Sequence, residues 1–277
     1  MIAHKLFRKL SLFFDGLLSK RKKPITREGL KSLLIKHNDN TTACAKELNC
    51  SRDKIIWWAT KHMLHISRNS FELNHNVFSK PTIQSSYWAG VLSGDGSIKR
   101  HLKYDYLLEL TNTDKELVTG FAKFIDSKKI PQERIPLRGK KKYSLTISSQ
   151  FIIDDLKLWN LEPKKSKHNK IPDCIKDNDL LCHWIVGLID SDGSVYLKKK
   201  DKNIGITILA SKEICLFLNK WLNIPCCFCQ EKKIENLYNL KFSGKNAVAL
   251  YNKIYRDIGL VRKWSIIEPF LNKQWHH

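Results

Sequence analysis

Asp95 and Asp192 stand in nearly the same words. Trp88-Ala89-Gly90-Val91-Leu92-Ser93-Gly94-Asp95-Gly96-Ser97 is echoed by Trp184-Ile185-Val186-Gly187-Leu188-Ile189-Asp190-Ser191-Asp192-Gly193-Ser194. In each, an apolar helical run carries a glycine, and an aspartate follows five residues later, just before Gly-Ser. A carboxylate at that point faces the negative end of a helix macrodipole. Gly90 and Gly187 permit close helix packing, because a residue without Cβ lets backbones approach. If the two runs pack on each other, both carboxylates converge, and two anions beside two helix C-termini repel unless a cation joins them. Mg²⁺ suits such a place, since it takes hard oxygen ligands, few protein carboxylates, and water or phosphate for the rest. The chemistry implied is metal-assisted hydrolysis of a phosphodiester. A single Asp-Gly merely ends a helix and starts a turn; two in register argue for a site.

The elements needed to hold that pair repeat as well. After the first Asp-Gly-Ser, residues 103–111 alternate as a strand and 115–130 read as a helix. Residues 134–137 and 143–148 suggest a hairpin around Gly139-Lys140, and 151–158 are helical. After the second, 204–210 is a strand and 212–222 a helix. Residues 226–232 and 239–243 pair around Glu235-Asn236, and 247–258 are helical. The halves also end alike, Asn160-Leu161-Glu162-Pro163-Lys164-Lys165-Ser166 against Gly259-Leu260-Val261-Arg262-Lys263-Trp264-Ser265. The pattern predicts an α+β fold, a duplicated αββαββα unit with two antiparallel sheets, the repeats spanning 85–172 and 173–277.

Ahead of them, residues 25–66 read as three short helices. Thr26, Thr42 and Ser51 are the expected N-caps. Leu30, Leu33 and Leu34 form one apolar stripe; Ala43, Ala45 and Leu48 belong to the second helix; Ile55, Ile56, Trp58, Ala59 and Met63 to the third. This resembles a helix-turn-helix, in which the last helix enters the major groove. Arg52, Asp53, Lys54 and Trp57 would then be exposed toward DNA; an ordinary three-helix unit is the alternative. Residues 67–84 read as a linker. Residues 1–24 are basic and amphipathic, with seven Lys or Arg and one acid, Asp15, in the first 23. An organelle transit peptide and a basic helix packed on the next domain both fit, so the expected location is intracellular, with a mitochondrial or other organelle variant.

Composition agrees with a polyanion partner. The 277 residues hold 49 Lys and Arg against 27 Asp and Glu, a formal charge of +22, which favours nucleic acid over other partners. With 42% hydrophobic residues the chain is globular, not a disordered tail. No stretch is long enough to span a bilayer. The eight cysteines are scattered rather than regularly spaced, which predicts reduced thiols. Cys226-Cys227-Phe228-Cys229 lacks partners at metal-ligand spacing and reads as buried strand cysteines.

The two motifs resemble those of the LAGLIDADG homing endonucleases, of the single-chain pseudosymmetric kind, over roughly residues 85–272. The match is close at Val186-Gly187-Leu188-Ile189-Asp190-Ser191-Asp192-Gly193; the first motif has Ser93 where an acid is often found. The resemblance implies that Asp95 and Asp192 are the metal ligands and catalytic acids. It implies sheets that read the major groove of a long asymmetric duplex, and a monomer that cuts both strands with Mg²⁺. It further implies a basic residue near the end of the last strand in each half. Lys245 after Ser243-Gly244 fits; Gln150 after Ser148-Ser149 departs, which puts equal cleavage of the two strands in doubt. Candidate DNA contacts are Lys99, Arg100, Lys103, Arg138, Lys140 and Lys142 in the first half. Lys198, Lys199, Lys200, Lys202, Lys232, Lys233 and Lys241 are those of the second. Lys164, Lys165, Arg262 and Lys263 would neutralise phosphates. The competing reading is a non-cleaving binder on the same scaffold: a group I intron RNA maturase, a DNA-binding regulator, or a ribonucleoprotein component.

Overall fold

The computed structural model describes residues 25–37, 39–64, 66, 73–100, 106–136, 139–163, 170–198, 203–231 and 234–272. The basic segment 1–24 and the candidate contacts Lys103, Arg138, Lys199, Lys200, Lys202, Lys232 and Lys233 lie outside these residues, as do Lys164 and Lys165. The chain divides into two compact units at Leu64.

The first unit holds helices α1 (Arg27–Lys36), α2 (Thr41–Glu47) and α3 (Arg52–Lys61). Thr26 and Ser51 cap α1 and α3, each accepting from an amide of the first turn. Asn40, not Thr42, caps α2: its Oδ1 accepts from both Thr42 N and Ala43 N at 3.1 Å, so Thr42 falls inside the helix. Leu30, Leu33, Leu34, Cys44, Ala45, Ile55, Trp58 and Ala59 close the core. Ile56 and Met63 stay outside it. Met63 follows the end of α3 in left-handed backbone and is 89% exposed.

The second unit begins with residues 73–82, which the sequence reads as linker but which pack on the first repeat. Phe78 is fully buried, lies edge-on to Phe124 and Trp159, and accepts at its carbonyl oxygen from Trp159 Nε1. The segment lacks periodicity because it is a turn, and its aromatic anchor carries no periodic signal.

The repeats follow in the expected order. The first comprises α4 (Ile83–Asp95), β1 (Gly96–Arg100), β2 (Tyr106–Asn112), α5 (Lys115–Phe124), β3 (Gln132–Arg134), β4 (Lys142–Ile147) and α6 (Gln150–Leu156). The second comprises α7 (Asn178–Asp192), β5 (Ser194–Lys198), β6 (Asn203–Ser211), α8 (Lys212–Leu222), β7 (Cys227–Gln230), β8 (Leu237–Ser243) and α9 (Lys245–Ile254), with a final turn of helix α10 (Val261–Trp264). Both sheets are antiparallel with one topology, β1-β2-β4-β3 and β5-β6-β8-β7. This is the duplicated αββαββα arrangement expected from the sequence repeat.

Each kind of helix takes its place by its pattern. Residues 85–93 of α4 and 181–190 of α7 are buried without a break, as a helix apolar on all sides must be. α5 and α8 are amphipathic; Leu117, Val118 and Phe121, or Ile214, Cys215 and Leu218, point into the core. One face of each sheet therefore contributes Ile98, Leu108, Leu110, Leu145 and Ile147, or Val195, Ile206, Ile208, Leu240 and Phe242, to a shared core. The other face stays open.

Candidate metal centre and nucleic-acid interface

The seam between α4 and α7 is built on glycine. A Cβ added to Gly90 would overlap the Trp184 carbonyl oxygen and lie 3.0 Å from Leu188 N. A Cβ added to Gly187 would overlap the Tyr87 carbonyl oxygen and lie 2.9 Å from Val91 N. The two clashes are equivalent: Gly90 and Gly187, Tyr87 and Trp184, and Val91 and Leu188 are each 97 residues apart, as are Asp95 and Asp192. Only two backbones in direct contact across a pseudo-twofold axis give this reciprocity.

At the C-terminal end of the seam the Asp192 side chain reaches the backbone of the facing helix. A Cβ on Gly94 would lie 2.9 Å from Asp192 Cγ and 2.8 Å from Ser191 Cβ, so the Asp192 carboxylate rests against the backbone next to Asp95. Asn112, at the end of β2, donates from Nδ2 to Asp95 Oδ2. Its Oδ1 accepts from Asp114 N at 2.6 Å, which fixes the amide so that the NH₂ faces Asp95. Asp114 in turn caps α5 and forms an ion pair with Arg262.

The C-terminal segment buttresses the same end. Lys263 donates from Nζ to the carbonyl oxygens of Ile189 (2.7 Å), Asp190 (3.0 Å) and Gly193 (3.0 Å). It thus places a positive charge on the negative end of the α7 dipole, beside Asp192. Burial lowers its ammonium pKa, against the pull of Asp190. Of the two residues expected to neutralise phosphates, Lys263 is engaged with helix carbonyls, while Arg262 pairs with Asp114 and keeps an exposed side chain. Asp190 is the buried tie: it accepts from Tyr87 Oη (2.9 Å), Trp264 Nε1 (2.9 Å) and Leu260 N (2.8 Å). Burial pushes its carboxyl up, while Lys263, Leu260 N and the Tyr87 and Trp264 donors draw it down.

The two candidate basic positions differ. Lys245 is exposed at the first residue of α9, after Gly244. Gln150 opens α6, and its Nε2 donates to Asp154 Oδ1 at 3.1 Å, along its own helix. Beside it, buried His75 Nδ1 lies 2.7 Å from Ser149 Oγ, while its Nε2 has no hydrogen-bond partner among the described residues. Burial lowers the His75 pKa to about 4, so the ring is neutral.

The open sheet faces follow from pairing and alternation. In the first sheet Ser97, Lys99, Glu109, Thr111, Lys142, Ser144, Thr146, Gln132 and Arg134 share that face. In the second, Tyr196, Lys198, Asn203, Thr207, Asn239, Lys241, Ser243, Cys227 and Cys229 do. Lys99, Lys142, Lys198 and Lys241 thus share the open faces, and Lys140 is exposed just before β4. Arg100 does not join them: it pairs with Tyr106 and alternates with Lys99, so it belongs to the helix-covered face at the strand's outer end. Arg134 takes the open position instead. Cys227 is exposed and Cys229 half-buried on the edge strand β7, not buried as expected; all eight cysteines are free. In the first unit, Trp57 is 57% exposed under the Lys61 ammonium, Lys54 lies over Trp58, and Arg52 donates to Thr41 Oγ1.

Among the described residues, no helix is long and apolar enough to cross a membrane. No protein-family model matches the chain. Among curated proteins it is similar to an uncharacterized protein of Methanocaldococcus jannaschii, 26% identical over 175 residues, 61% of this chain and 60% of that one. It is also similar to the glutamine–fructose-6-phosphate aminotransferase of the same organism, 24% identical over 204 residues, 70% of this chain. The chain spans 60% of the first relative's length and 18% of the second's. Solved structures that resemble it include the homing endonuclease I-WcaI bound to its DNA recognition sequence, with 20% identity and a TM-score of 0.47 over 70% of this chain and 91% of that one. The LAGLIDADG homing endonuclease I-GzeII in complex with its DNA target aligns at 12% identity and a TM-score of 0.44, over 65% of this chain and 86% of that one. Variants of the homing endonuclease I-DmoI align at 15% and 0.42, over 65% of this chain and 96% of theirs.

Proposed function

We propose that this chain, whose two motifs resemble those of the LAGLIDADG family, belongs to it and is a site-specific endonuclease of double-stranded DNA that depends on a divalent metal. The observation that carries the reading is the glycine seam that ends with the Asp192 carboxylate against Gly94, the residue before Asp95. Two carboxylates would suit Mg²⁺, which takes few protein oxygens and leaves the remaining coordination to water and substrate phosphate. When bound there, the metal would supply charge stabilisation to the attacking and leaving oxygens.

The chain's own residues do the rest. Asp95 and Asp192 hold the cation, and Asn112 fixes the carboxylate of Asp95. Lys263 offsets the helix dipole that would otherwise disfavour Asp192. The two open faces carry unlike side chains, Lys99, Arg134, Lys142 and Glu109 against Lys198, Lys241, Tyr196 and Asn239. A target read by both is therefore long and asymmetric, and one monomer suffices. The three-helix unit, with Trp57 and Lys61 outward, would add affinity by tethering. Gln150, an uncharged amide that donates to Asp154 where the second half has the ammonium of Lys245, is expected to make the two strands cleave at unequal rates.

The test uses purified protein, a randomised plasmid library and Mg²⁺. Cleavage at one long site, abolished by Asp95→Asn and by Asp192→Asn, supports the reading. Tight binding of group I intron RNA with no cut or nick in any duplex overturns it in favour of a maturase.

A further inference from the structure

Glu109 is out of place on a surface meant for phosphate. Of the described strand positions on the two open faces, it is the one acid; Glu133, the neighbouring strand acid, points to the opposite side and pairs with Lys141. It sits between Ser97 on β1 and Thr146 on β4. Its carboxylate binds Lys99 Nζ at 2.6 Å through one oxygen and Arg134 Nη1 at 3.0 Å through the other. The three residues come from β1, β2 and β3, and Arg134 reaches across β4 to join them. The Glu109 side chain is 11% exposed, while Lys99 and Arg134 are 63% and 52% exposed. Burial opposes its charge, but Lys99 and Arg134 hold the carboxyl below the ordinary glutamate value.

A carboxylate so placed weakens attraction for any phosphate chain that passes, whatever its sequence. In return it restricts two long cationic side chains that would otherwise swing freely to the nearest phosphates. Arginine and lysine held in fixed positions can meet guanine O6 and N7 at the floor of the major groove. Phosphate contacts position a protein on DNA; base contacts specify where.

We propose that Glu109 is a specificity-determining residue: it lowers affinity for DNA in general and orients Lys99 and Arg134 toward base edges, so that discrimination is gained at the expense of non-specific binding. The inference rests on the DNA-binding reading above. A merely structural glutamate, joining strands of the sheet, would change stability without changing which duplexes are preferred.

The experiment compares wild type, Glu109→Gln and Arg134→Gln, all as the full chain, against a randomised duplex library and against bulk random-sequence duplex at several salt concentrations. Glu109→Gln is expected to bind random duplex more tightly, with a salt slope steeper by up to about one. Its preference for the selected sequence over random duplex should fall by about 5- to 100-fold. Arg134→Gln removes a half-exposed side chain and so tests the idea even if Glu109→Gln folds poorly. It should lose preference at the same base positions without the gain in random-sequence affinity. An unchanged preference ratio in both variants overturns the inference while leaving DNA binding intact. A wild-type chain that binds no duplex overturns the underlying reading instead.

Discussion

Gly187→Ala should separate the two motif helices. The added methyl would overlap the Tyr87 carbonyl oxygen and come within 2.9 Å of Val91 N and 3.0 Å of Tyr87 C. All three atoms are backbone in a continuously buried helix, so no side chain can rotate away. Restoring ordinary contact takes a shift of about 1 Å, enough to forfeit much of the dispersion between facing atoms. Over-packing a core costs about 1–3 kcal/mol, and a rigid backbone on both sides places this substitution at the upper end, about 3 kcal/mol. For a unit of this size that lowers the melting temperature by roughly 6–12 °C. The reciprocity of the seam adds a sharper expectation. Gly90→Ala meets the Trp184 carbonyl oxygen in the same manner, and one displacement relieves both clashes. The double variant should therefore cost clearly less than the sum of the singles. Urea unfolding of the wild type, both singles and the double measures this directly. Additive costs, or single costs below about 1 kcal/mol, would refute the close twofold contact that brings Asp95 and Asp192 together.

Two further outcomes follow from the same region. His75 is neutral in the folded chain with a pKa near 4, whereas the unfolded chain takes up a proton near pH 6.5. Its folded value is depressed, so stability is full above pH 6.5 and falls as pH drops toward 4, by about 3 kcal/mol at most. Urea midpoints at pH 7 and 4.5 should show that loss in the wild type and much less of it in His75→Asn, which can keep a hydrogen bond to Ser149; equal losses would refute the assignment. Asn112→Leu removes the donor that fixes Asp95 without adding charge. A comparable loss of outer support at metal sites costs about 10–100-fold in metal affinity, so the Mg²⁺ or Mn²⁺ concentration needed for half-maximal nicking should rise accordingly, and an unchanged requirement would exclude the role.

Much of this protein is written in the order of its residues. The repeat at an offset of 97, the glycine five positions before each aspartate, and unbroken apolar runs around them specify two buried helices that end in carboxylates. Local capping chemistry names Thr26 and Ser51, and apolar patterning marks β2 and β6 as strands. These features are legible because periodicity and capping act within a few residues of one another.

Tertiary structure decided what lies beyond that range. Asn112 reaches Asp95 across 17 residues, His75 finds Ser149 across 74, and Asp190 gathers Tyr87, Leu260 and Trp264 from both sides of the chain. Alternation alone sends Lys99 and Arg100 to opposite faces, but only the packing of the helices on one face of the sheet decides which of the two is left open. Lys263 reads as one more phosphate-seeking lysine until the chain folds it over the end of α7. Glu109 gains its meaning only from cross-strand register, which sets Lys99 and Arg134 around it. A strand's own pattern states which way a side chain points; only the hydrogen-bonded neighbour determines what it meets there.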